Sequence, residues 1–296
     1  MTDYQAQCEA RLLEGQWDQA QQAALAWARH PATGTDRDAR PYFALNVIQL
    51  LRGEFAEAWK IHSKCLEEPE DIAQVKEWIE GFVARQSEQA YAHLVMGLFL
   101  AQSGQSEQSI ASYKETIKLA PQSAHPHYFL AQIYERANHL EMAIKEYRET
   151  IRLDPSHAPA RTNLGVAYQE QGRLEMAIPQ YREVIKLKPN DATTHANLAC
   201  ALAEQGKMEL ALQSYKEALR LNPQDAEVHF SLGNFYETRG RLDLAQKEYD
   251  AALIADPNFG PAHSALGWLA LGTQHMQDAY EAFNRALKSN EQDPRA

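Results

Sequence analysis

The architecture of the chain follows from residues 158–191, APARTNLGVAYQEQGRLEMAIPQYREVIKLKPND. The next 34 residues repeat this pattern as ATTHANLACALAEQGKMELALQSYKEALRLNPQD. The period runs from Ala90 towards the C-terminal end without insertion or deletion. It is marked by prolines at one shared position, Pro121, Pro155, Pro189, Pro223 and Pro257. A fixed period of this length is typical of stacked repeats rather than of one globular core.

Each repeat contains two apolar segments with helical spacing, separated by a short break. In residues 158–191, Leu164 and Tyr168 lie one turn apart in the first segment, and Ile178 and Tyr181 share a face in the second. Such a pattern predicts two helices per repeat. Because proline cannot continue a helix, the shared proline position predicts the end of each second helix.

The break between the two helices requires a residue that tolerates a left-handed backbone. This position is occupied by Gly104, Asn138, Gly172, Gly206, Gly240 and Gln274. Glycine and asparagine adopt that conformation readily, whereas glutamine adopts it poorly. The sequence therefore predicts that the turn at Gln274 is built differently from the others.

Small side chains recur at one position of each predicted helix. In the first helices they are Gly97, Ala131, Gly165, Ala199, Gly233 and Gly267, and in the second they are Ser109, Ala143, Ala177, Ala211, Ala245 and Ala279. Rings recur at Tyr113, Tyr147, Tyr181, Tyr215, Tyr249 and Phe283. Small residues let two helices approach closely, and rings fill the wider gaps. The pattern predicts an all-α solenoid of antiparallel helix hairpins with one continuous core.

These positions resemble the tetratricopeptide repeat (TPR) pattern of an aromatic residue, Leu-Gly, Tyr, Ala, a second aromatic residue and Pro. The resemblance covers six repeats, at residues 90–123, 124–157, 158–191, 192–225, 226–259 and 260–293. It implies a right-handed superhelix. The Asn-Leu-Gly and Asn-Leu-Ala triplets at 163–165 and 197–199 look most like the repeat arm of O-linked N-acetylglucosamine transferases. We expect no transferase catalytic domain, because the chain ends directly after the repeats.

Residues 1–89 are out of register with this array and are predicted to form an irregular helical N-terminal region. Degenerate repeats are indicated by two pairs, Gly15 with Ala20 and Gly53 with Ala58. Residues 30–41 are predicted to form a loop and residues 73–89 one helix. Four of the five tryptophans lie in this region, at Trp17, Trp27, Trp59 and Trp78. We interpret them as filling an irregular cap, with a partner-binding surface as the alternative.

Composition narrows the classes of function. The formal net charge of −11 and the pI near 5.5 argue against general binding to nucleic acid or anionic membranes. No secretory signal is recognisable at the N-terminus, and no apolar run approaches the roughly 20 residues of a membrane helix. Three widely spaced cysteines, Cys8, Cys65 and Cys200, suit a reducing cytoplasm. The sequence therefore predicts a cytoplasmic protein without membrane insertion.

Neither an active site nor a metal or cofactor site is predicted. A histidine column replaces the usual tryptophan at His93, His127, His195, His229 and His263, with Arg161 in the third repeat. Helices one repeat apart are separated by about 8–10 Å, too far for two of these side chains to share a metal, so we interpret the column as structural. Basic pairs on the second helices alternate with glutamates, which favours a charge-balanced surface over a polyanion track. Nucleotide-binding glycine motifs are absent from the sequence.

The TPR resemblance implies a peptide-binding groove along the first helices. Its predicted residues are Leu94, Leu98, Tyr128, Gln132, Glu135, Asn163, Val166, Glu170, Asn197, Glu204, Phe230, Asn234, Glu237, Trp268 and Leu271. Asn163 and Asn197 match the asparagine ladder that grips a peptide backbone in the transferase arms. Acidic residues favour a basic peptide, and the apolar patches would take hydrophobic anchors. The alternative for the patch near Leu94 is that the N-terminal helices cover it.

The predicted function is that of a non-catalytic scaffold or adaptor that binds a protein or peptide. A self-associating module is one alternative, because a face bearing Ala279, Phe283 and Ala286 is expected to be partly exposed at the C-terminal end and could join copies into a homo-oligomer. A substrate-presenting accessory subunit of a separate enzyme is the other alternative. The partner cannot be named from these residues, because one fold serves many functions.

Overall fold

The computed structural model describes residues 3–14, 16–29, 39–51, 69–85 and 89–292. The described residues form sixteen α-helices and contain no β-strand. The chain divides into two compact units, Met1–Ala160 and Arg161–Ala296, and the division falls inside the ninth helix.

The first unit contains eight helices and the start of a ninth. They are α1 (Asp3–Leu13), α2 (Trp17–Arg29), α3 (Arg40–Leu51), α4 (Pro69–Arg85), α5 (Ala90–Gln102), α6 (Ser106–Leu119), α7 (Ala124–Arg136), α8 (Leu140–Leu153) and α9 (Ala158–Glu170). The second unit holds the rest of α9 and the remaining helices. These are α10 (Leu174–Leu187), α11 (Ala192–Glu204), α12 (Met208–Leu221), α13 (Ala226–Glu237), α14 (Leu242–Ala255), α15 (Gly260–Gly272) and α16 (Met276–Gln292).

The N-terminal helices share an aromatic core. Trp27 and Trp78 are buried and meet edge to face with their ring centroids 5.5 Å apart. Phe43 meets Phe99 of α5 in the same way at 5.8 Å. The Trp78 Nε1 donates a hydrogen bond to the Glu9 carboxylate at 2.6 Å. These two tryptophans therefore form part of the core of the N-terminal cap. Trp59 and the side chain of Trp17 lie outside the described residues.

Two boundaries predicted for the N-terminal region are wrong. Arg40 and Pro41, placed in a loop by the sequence, begin α3, because proline suits the first turn of a helix. The helix predicted over residues 73–89 runs from Pro69 to Arg85. Gly15, Gly53 and Ala58, and most of the predicted loop, lie outside the described residues. The domain division at residue 89 stays a prediction.

Helix bounds recur with the 34-residue period. The first helices begin at Ala90, Ala124, Ala158, Ala192, Ala226 and Gly260. Each hairpin turn has its break residue in the left-handed region, including Asn138 at φ 58° and Gln274 at φ 65°. The predicted exception at Gln274 is therefore wrong. The Gln274 amide donates to the Leu271 carbonyl and the His275 amide to the Ala270 carbonyl, as equivalent amides do in other turns, and these bonds hold glutamine in a conformation it disfavours.

Close contact between the two helices of a hairpin explains the small and ring positions. A Cβ added to Gly165 would lie 2.5 Å from Tyr181, and one added to Gly233 would lie 2.4 Å from Tyr249. Both tyrosines are fully buried. The Ser109 hydroxyl, also at a small position, donates to the Gly97 carbonyl at 2.7 Å. The all-α hairpin architecture predicted from these residues is confirmed in the described part of the chain.

The predicted exposed face of the last helix needs correction. Ala279 and Ala286 are buried, and the Phe283 ring packs edge to face on Trp268 at 5.3 Å. The physical reason is that the small positions face the first helix of their own hairpin, so Ala279 and Ala286 are covered in the last repeat as well. Phe283 is half-buried, whereas the tyrosines at the ring position of the other repeats are buried, so the expectation of partial exposure holds for Phe283 alone. The exposed apolar side chains of α16 are Met276, Tyr280 and Leu287.

Candidate functional site

A row of polar side chains lies along the first helices of the second unit, and buried tyrosines hold three of them from behind. We call it the first-helix row, and it comprises Asn163, Gln169, Asn197, Glu204, Asn234 and Glu237. The Tyr181 hydroxyl donates to the Gln169 side-chain oxygen at 3.1 Å. The Tyr249 hydroxyl lies within hydrogen-bonding distance of Asn234 (2.7 Å) and Glu237 (2.5 Å). These bonds fix the orientation of the surface groups.

Burial keeps the tyrosine hydroxyls protonated. It raises the pKa of Tyr181 and Tyr249 above the ordinary value of 10.0, and the neighbouring Glu237 raises that of Tyr249 further. Burial likewise raises the pKa of Tyr215, whose hydroxyl lies 3.3 Å from the Cys200 Sγ. A hydroxyl that stays protonated remains a donor, so the row keeps its geometry across the neutral pH range.

Neighbouring repeats are joined along the row. The Gln169 side-chain amide donates to the Glu204 carboxylate at 2.5 Å, which connects α9 to α11. Asn197 lies between them in sequence, is half-buried, and makes no side-chain hydrogen bond within the described part of the chain. Its amide therefore presents both a donor and an acceptor.

A cavity of about 330 Å³ opens between α11 and α13. Its walls include Cys200, Tyr215 and Phe235, and Asn234 lies at its edge. The Arg239 guanidinium stacks on the Phe235 ring at 3.7 Å from the centroid. The arrangement gives an aromatic-walled recess beside the polar row, large enough to admit side chains of a ligand.

The first unit contributes less of the predicted surface. Leu94, Leu98 and Tyr128 are 1%, 3% and 3% exposed, so they serve as core and do not form an open groove. This corrects their prediction as groove residues and agrees with the alternative that N-terminal helices cover the first patch, since α4 packs on α5. Gln132 and Glu135 remain half-exposed; the Gln132 amide donates to the Tyr128 hydroxyl, and Glu135 accepts from the Tyr147 hydroxyl at 2.7 Å.

The remaining predicted groove residues differ in exposure. Glu170 and Glu204 are exposed, whereas Asn163 and Val166 are half-buried. Phe230 is half-buried, with its ring 5.7 Å from that of Tyr249. Trp268 and Leu271 are exposed at 63% and 37%. The binding role of all these residues stays a prediction.

Sequence reasoning missed the tyrosine supports and Arg239. A signal for the supports was present in three repeats, where the ring position follows a polar first-helix residue by 12 positions: Glu135 with Tyr147, Gln169 with Tyr181, and Glu237 with Tyr249. Arg239 carries no comparable signal, because its place depends on the rotamer that stacks on Phe235.

In the last three repeats, the histidine column connects the repeat to the turn before it. The Nε2 atoms of His195, His229 and His263 lie 3.0–3.2 Å from the carbonyl oxygens of Pro189, Pro223 and Pro257. His229 also binds the Glu248 carboxylate through Nδ1 at 2.8 Å, and this bond raises the pKa of His229 above 6.5 despite the opposing effect of burial. The geometry supports the structural interpretation of the column.

Ion pairs balance the outer face of the second helices. Lys118, Arg152, Lys186 and Arg220 each pair with a glutamate three residues earlier, at N–O distances of 2.5–3.0 Å. Such pairs contribute little stability at exposed sites, but they neutralise a potential basic track.

Among the described residues, no group of three His, Cys, Asp or Glu side chains is arranged to hold a metal ion, and none of the helices has the length and apolar character to cross a membrane.

Comparison with solved structures identifies the class of fold. YrrB, a TPR protein described as having an unusual peptide-binding site, matches with a TM-score of 0.55 and 18% identity, over 63% of this chain and 96% of its own. The hetero-tetramer Cut9-Hcn1 matches with a TM-score of 0.60 and 17% identity, over 94% of this chain and 57% of its own. Pseudomonas aeruginosa pilF matches at 0.55 and 22%, over 67% and 90%.

These similarities and the repeat geometry make the chain a TPR protein with an all-α helical-repeat superhelix fold. It belongs to the family of the cilia and flagella-associated protein 70 C-terminal domain, whose model matches residues 18–296. No curated protein sequence matches the chain significantly.

Proposed function

We propose that the chain is a non-catalytic interaction scaffold that binds an extended peptide segment of a partner protein along the first-helix row. The observation that carries the proposal is the fixed orientation of three members of this row by buried tyrosine hydroxyls. Because Gln169, Asn234 and Glu237 are already ordered, a ligand would lose little additional side-chain entropy on binding them. YrrB, which shares the fold, is described as having a peptide-binding site, and this supports the proposal.

The side chains of the row suit different parts of a peptide. The open amide of Asn197 can accept from a main-chain N–H and donate to a main-chain carbonyl, whatever the peptide sequence. Exposed Glu170 and Glu204 favour lysine or arginine in the ligand. The recess beside Phe235, and the exposed Trp268, would take apolar anchors. The preferred ligand is therefore a basic peptide with apolar side chains.

Finer aspects of the proposal extend beyond peptide binding. Asn163 and Asn197 match the asparagine ladder of the transferase arms, and this match favours the alternative that the chain presents substrates to a separate enzyme. We place the chain in the cytoplasm because its cysteine usage suits a reducing compartment. Its acidic net charge of −11 argues for protein rather than nucleic acid as the partner.

The test is a comparison of captured peptides. Partners bound by the wild-type chain are digested, and the retained segments are synthesised and titrated by fluorescence anisotropy. An Asn197→Ala, Asn234→Ala double variant should bind about tenfold or more weakly, because the open amide of Asn197 and the tyrosine-held amide of Asn234 are both lost. Gln213→Ala, an exposed amide on α12, serves as the control and should bind as the wild type does. Equal affinity of the double variant, at unchanged helicity, would contradict the proposal.

A second candidate function is self-association through the end of the array. The exposed side chains of Met276, Tyr280 and Leu287 lie along one side of α16 at 63–65% exposure. Tyr280 corresponds to Ile178 in an earlier repeat, which is buried at 4% exposure. Sedimentation equilibrium would show a concentration-dependent oligomer that Tyr280→Glu dissociates. A wild-type chain that stays monomeric at high concentration would exclude it.

A further inference from the structure

A second groove lies between α14 and α16, away from the first-helix row. Its volume is about 550 Å³, and its floor includes half-buried Leu253, Leu266 and Leu269 with Ala270. Leu266 and Ala270 each lie two positions from Trp268, about 200° around α15, so they face the opposite side of that helix. We call this the outer groove.

A change in residue size opens the outer groove. The position of Ala270 holds a large side chain in all five earlier repeats, at Leu100, Tyr134, Tyr168, Leu202 and Tyr236. In the second unit Tyr168 and Leu202 are each only 2% exposed. A large side chain at this position therefore normally fills the space beside this face of the first helix. The methyl group of Ala270 leaves that space empty.

The charge of the side chains that line the outer groove also differs from that at the equivalent positions of earlier repeats. The position of Asp250 is basic in four earlier repeats, at Lys114, Arg148, Lys216 and Arg182. The groove is lined by four carboxylates, those of Asp243, Asp250, Asp278 and Glu281, against one guanidinium, that of Arg285. None of these four carboxylates has an ion-pair partner within residues 89–292, in contrast to the paired glutamates of earlier second helices. Desolvation raises the pKa of Asp250, and a nearby cation would offset that penalty.

An exposed apolar residue adjoins the acidic rim. Ile254 lies one turn after Asp250 and is 76% exposed. Its position is basic in the four earlier repeats, where Lys118, Arg152, Lys186 and Arg220 form ion pairs. The charge-balanced pattern of the outer surface is therefore replaced at α14 by an apolar and acidic one.

We propose that the outer groove binds a cationic amphipathic segment of another protein. An apolar side chain of that segment occupies the space over Ala270, and lysine or arginine side chains pair with the rim carboxylates. The charge selects this occupant, because the unpaired carboxylates outnumber the one guanidinium four to one. This site is separate from the first-helix row and does not depend on the function proposed for it.

The chain offers two variants that restore the regular repeat. Ala270→Tyr refills the space with the residue found at Tyr236, and Asp250→Lys restores the charge found at Lys216. Both are compatible with folding because equivalent repeats of the chain already carry these residues. Glu209→Lys on α12 changes the net charge by the same amount as Asp250→Lys and is exposed outside the groove, so it is the matched control.

The probe is a short, fluorescein-labelled amphipathic peptide of leucine and lysine, measured by anisotropy against a twin in which glutamate replaces lysine. We expect the wild type and Glu209→Lys to bind the lysine peptide alike, and Ala270→Tyr and Asp250→Lys to bind it about tenfold more weakly. Asn197→Ala should leave this affinity unchanged. Equal binding of the glutamate twin, or undiminished binding by Ala270→Tyr, would overturn the proposal. A wild-type dimer that Ala270→Tyr dissociates would also overturn it, in favour of a second copy as the occupant.

Discussion

Replacing Gln274 with glycine should stabilise the last hairpin. Gln274 has φ 65°, a left-handed conformation that costs an L-residue roughly 1–2 kcal/mol. Glycine removes this cost but adds about 0.4–1 kcal/mol of backbone freedom in the unfolded chain. The Gln274 side chain is exposed and loses no contact of its own. The expected net gain is about 0.5–1 kcal/mol.

The reciprocal change provides a matched control. Gly240 occupies the same turn position with φ 68°, and a Cβ added there would meet no atom within 4 Å. Gly240→Gln therefore changes the backbone preference without a steric clash. It should destabilise its hairpin by a similar amount, about 0.5–1 kcal/mol.

Native-state hydrogen exchange of the α16 amides is the suitable assay, because an end repeat can open before the rest of the array. A gain of about 0.5–1 kcal/mol in Gln274→Gly slows exchange through local opening by roughly two- to fivefold. Far-ultraviolet circular dichroism should match that of the wild type. In Gln274→Gly the α16 amides are followed, and in Gly240→Gln the α14 amides of its own hairpin. Unchanged or faster exchange in the first variant, with slower exchange in the second, would refute the assignment of strain to this backbone position.

Two further perturbations test the hairpin contacts. Gly233→Ala should lower the free energy of unfolding by about 1–3 kcal/mol, because the new Cβ would lie 2.4 Å from the buried Tyr249 ring; an unchanged urea midpoint would show that the ring moves freely. Glu248→Gln should lower the pKa of His229, followed by NMR titration. Because that pKa is raised in the folded state, the stability from the His229–Glu248 bond is fully present below pH 6.5 and lost as pH rises through the folded pKa. The stability gap between wild type and variant should therefore shrink above pH 6.5, and a gap that widens would contradict this linkage.

Much of the repeat geometry could be predicted from sequence because single positions carry strong physical requirements. Gly165 and Gly233 predict that the two helices of a hairpin pack closely, and the shared prolines indicate where second helices end. The same reasoning failed at Gln274. The hydrogen bonds of the turn outweigh the preference of an L-residue against a left-handed backbone, which is about 1–2 kcal/mol. The ring position also indicates that Phe283 packs on the first helix of its hairpin, as it does on Trp268.

The candidate surface was harder to predict than the fold. Leu94 and Leu98 lie on α5, on which α1 and α4 pack; these helices do not follow the repeat register, and no periodic pattern indicates their packing. The outer groove depends on what Ala270 lacks relative to Tyr236, and a missing side chain is visible only by comparison among repeats. The tyrosine supports connect two helices across a hairpin, so their role requires the three-dimensional pairing of those helices.

The histidine bonds to the proline carbonyls also bear on how this chain can change during evolution. Each bond spans six residues, as from His195 back to Pro189, and closes only if the connection between repeats keeps its length. Inserting or deleting one residue there would remove the bond and shift every later side chain around its helix. Duplicating or losing a whole 34-residue unit would preserve it. We therefore expect this array to evolve by gaining or losing entire repeats. Single-codon insertions in these connections should be rare among its descendants.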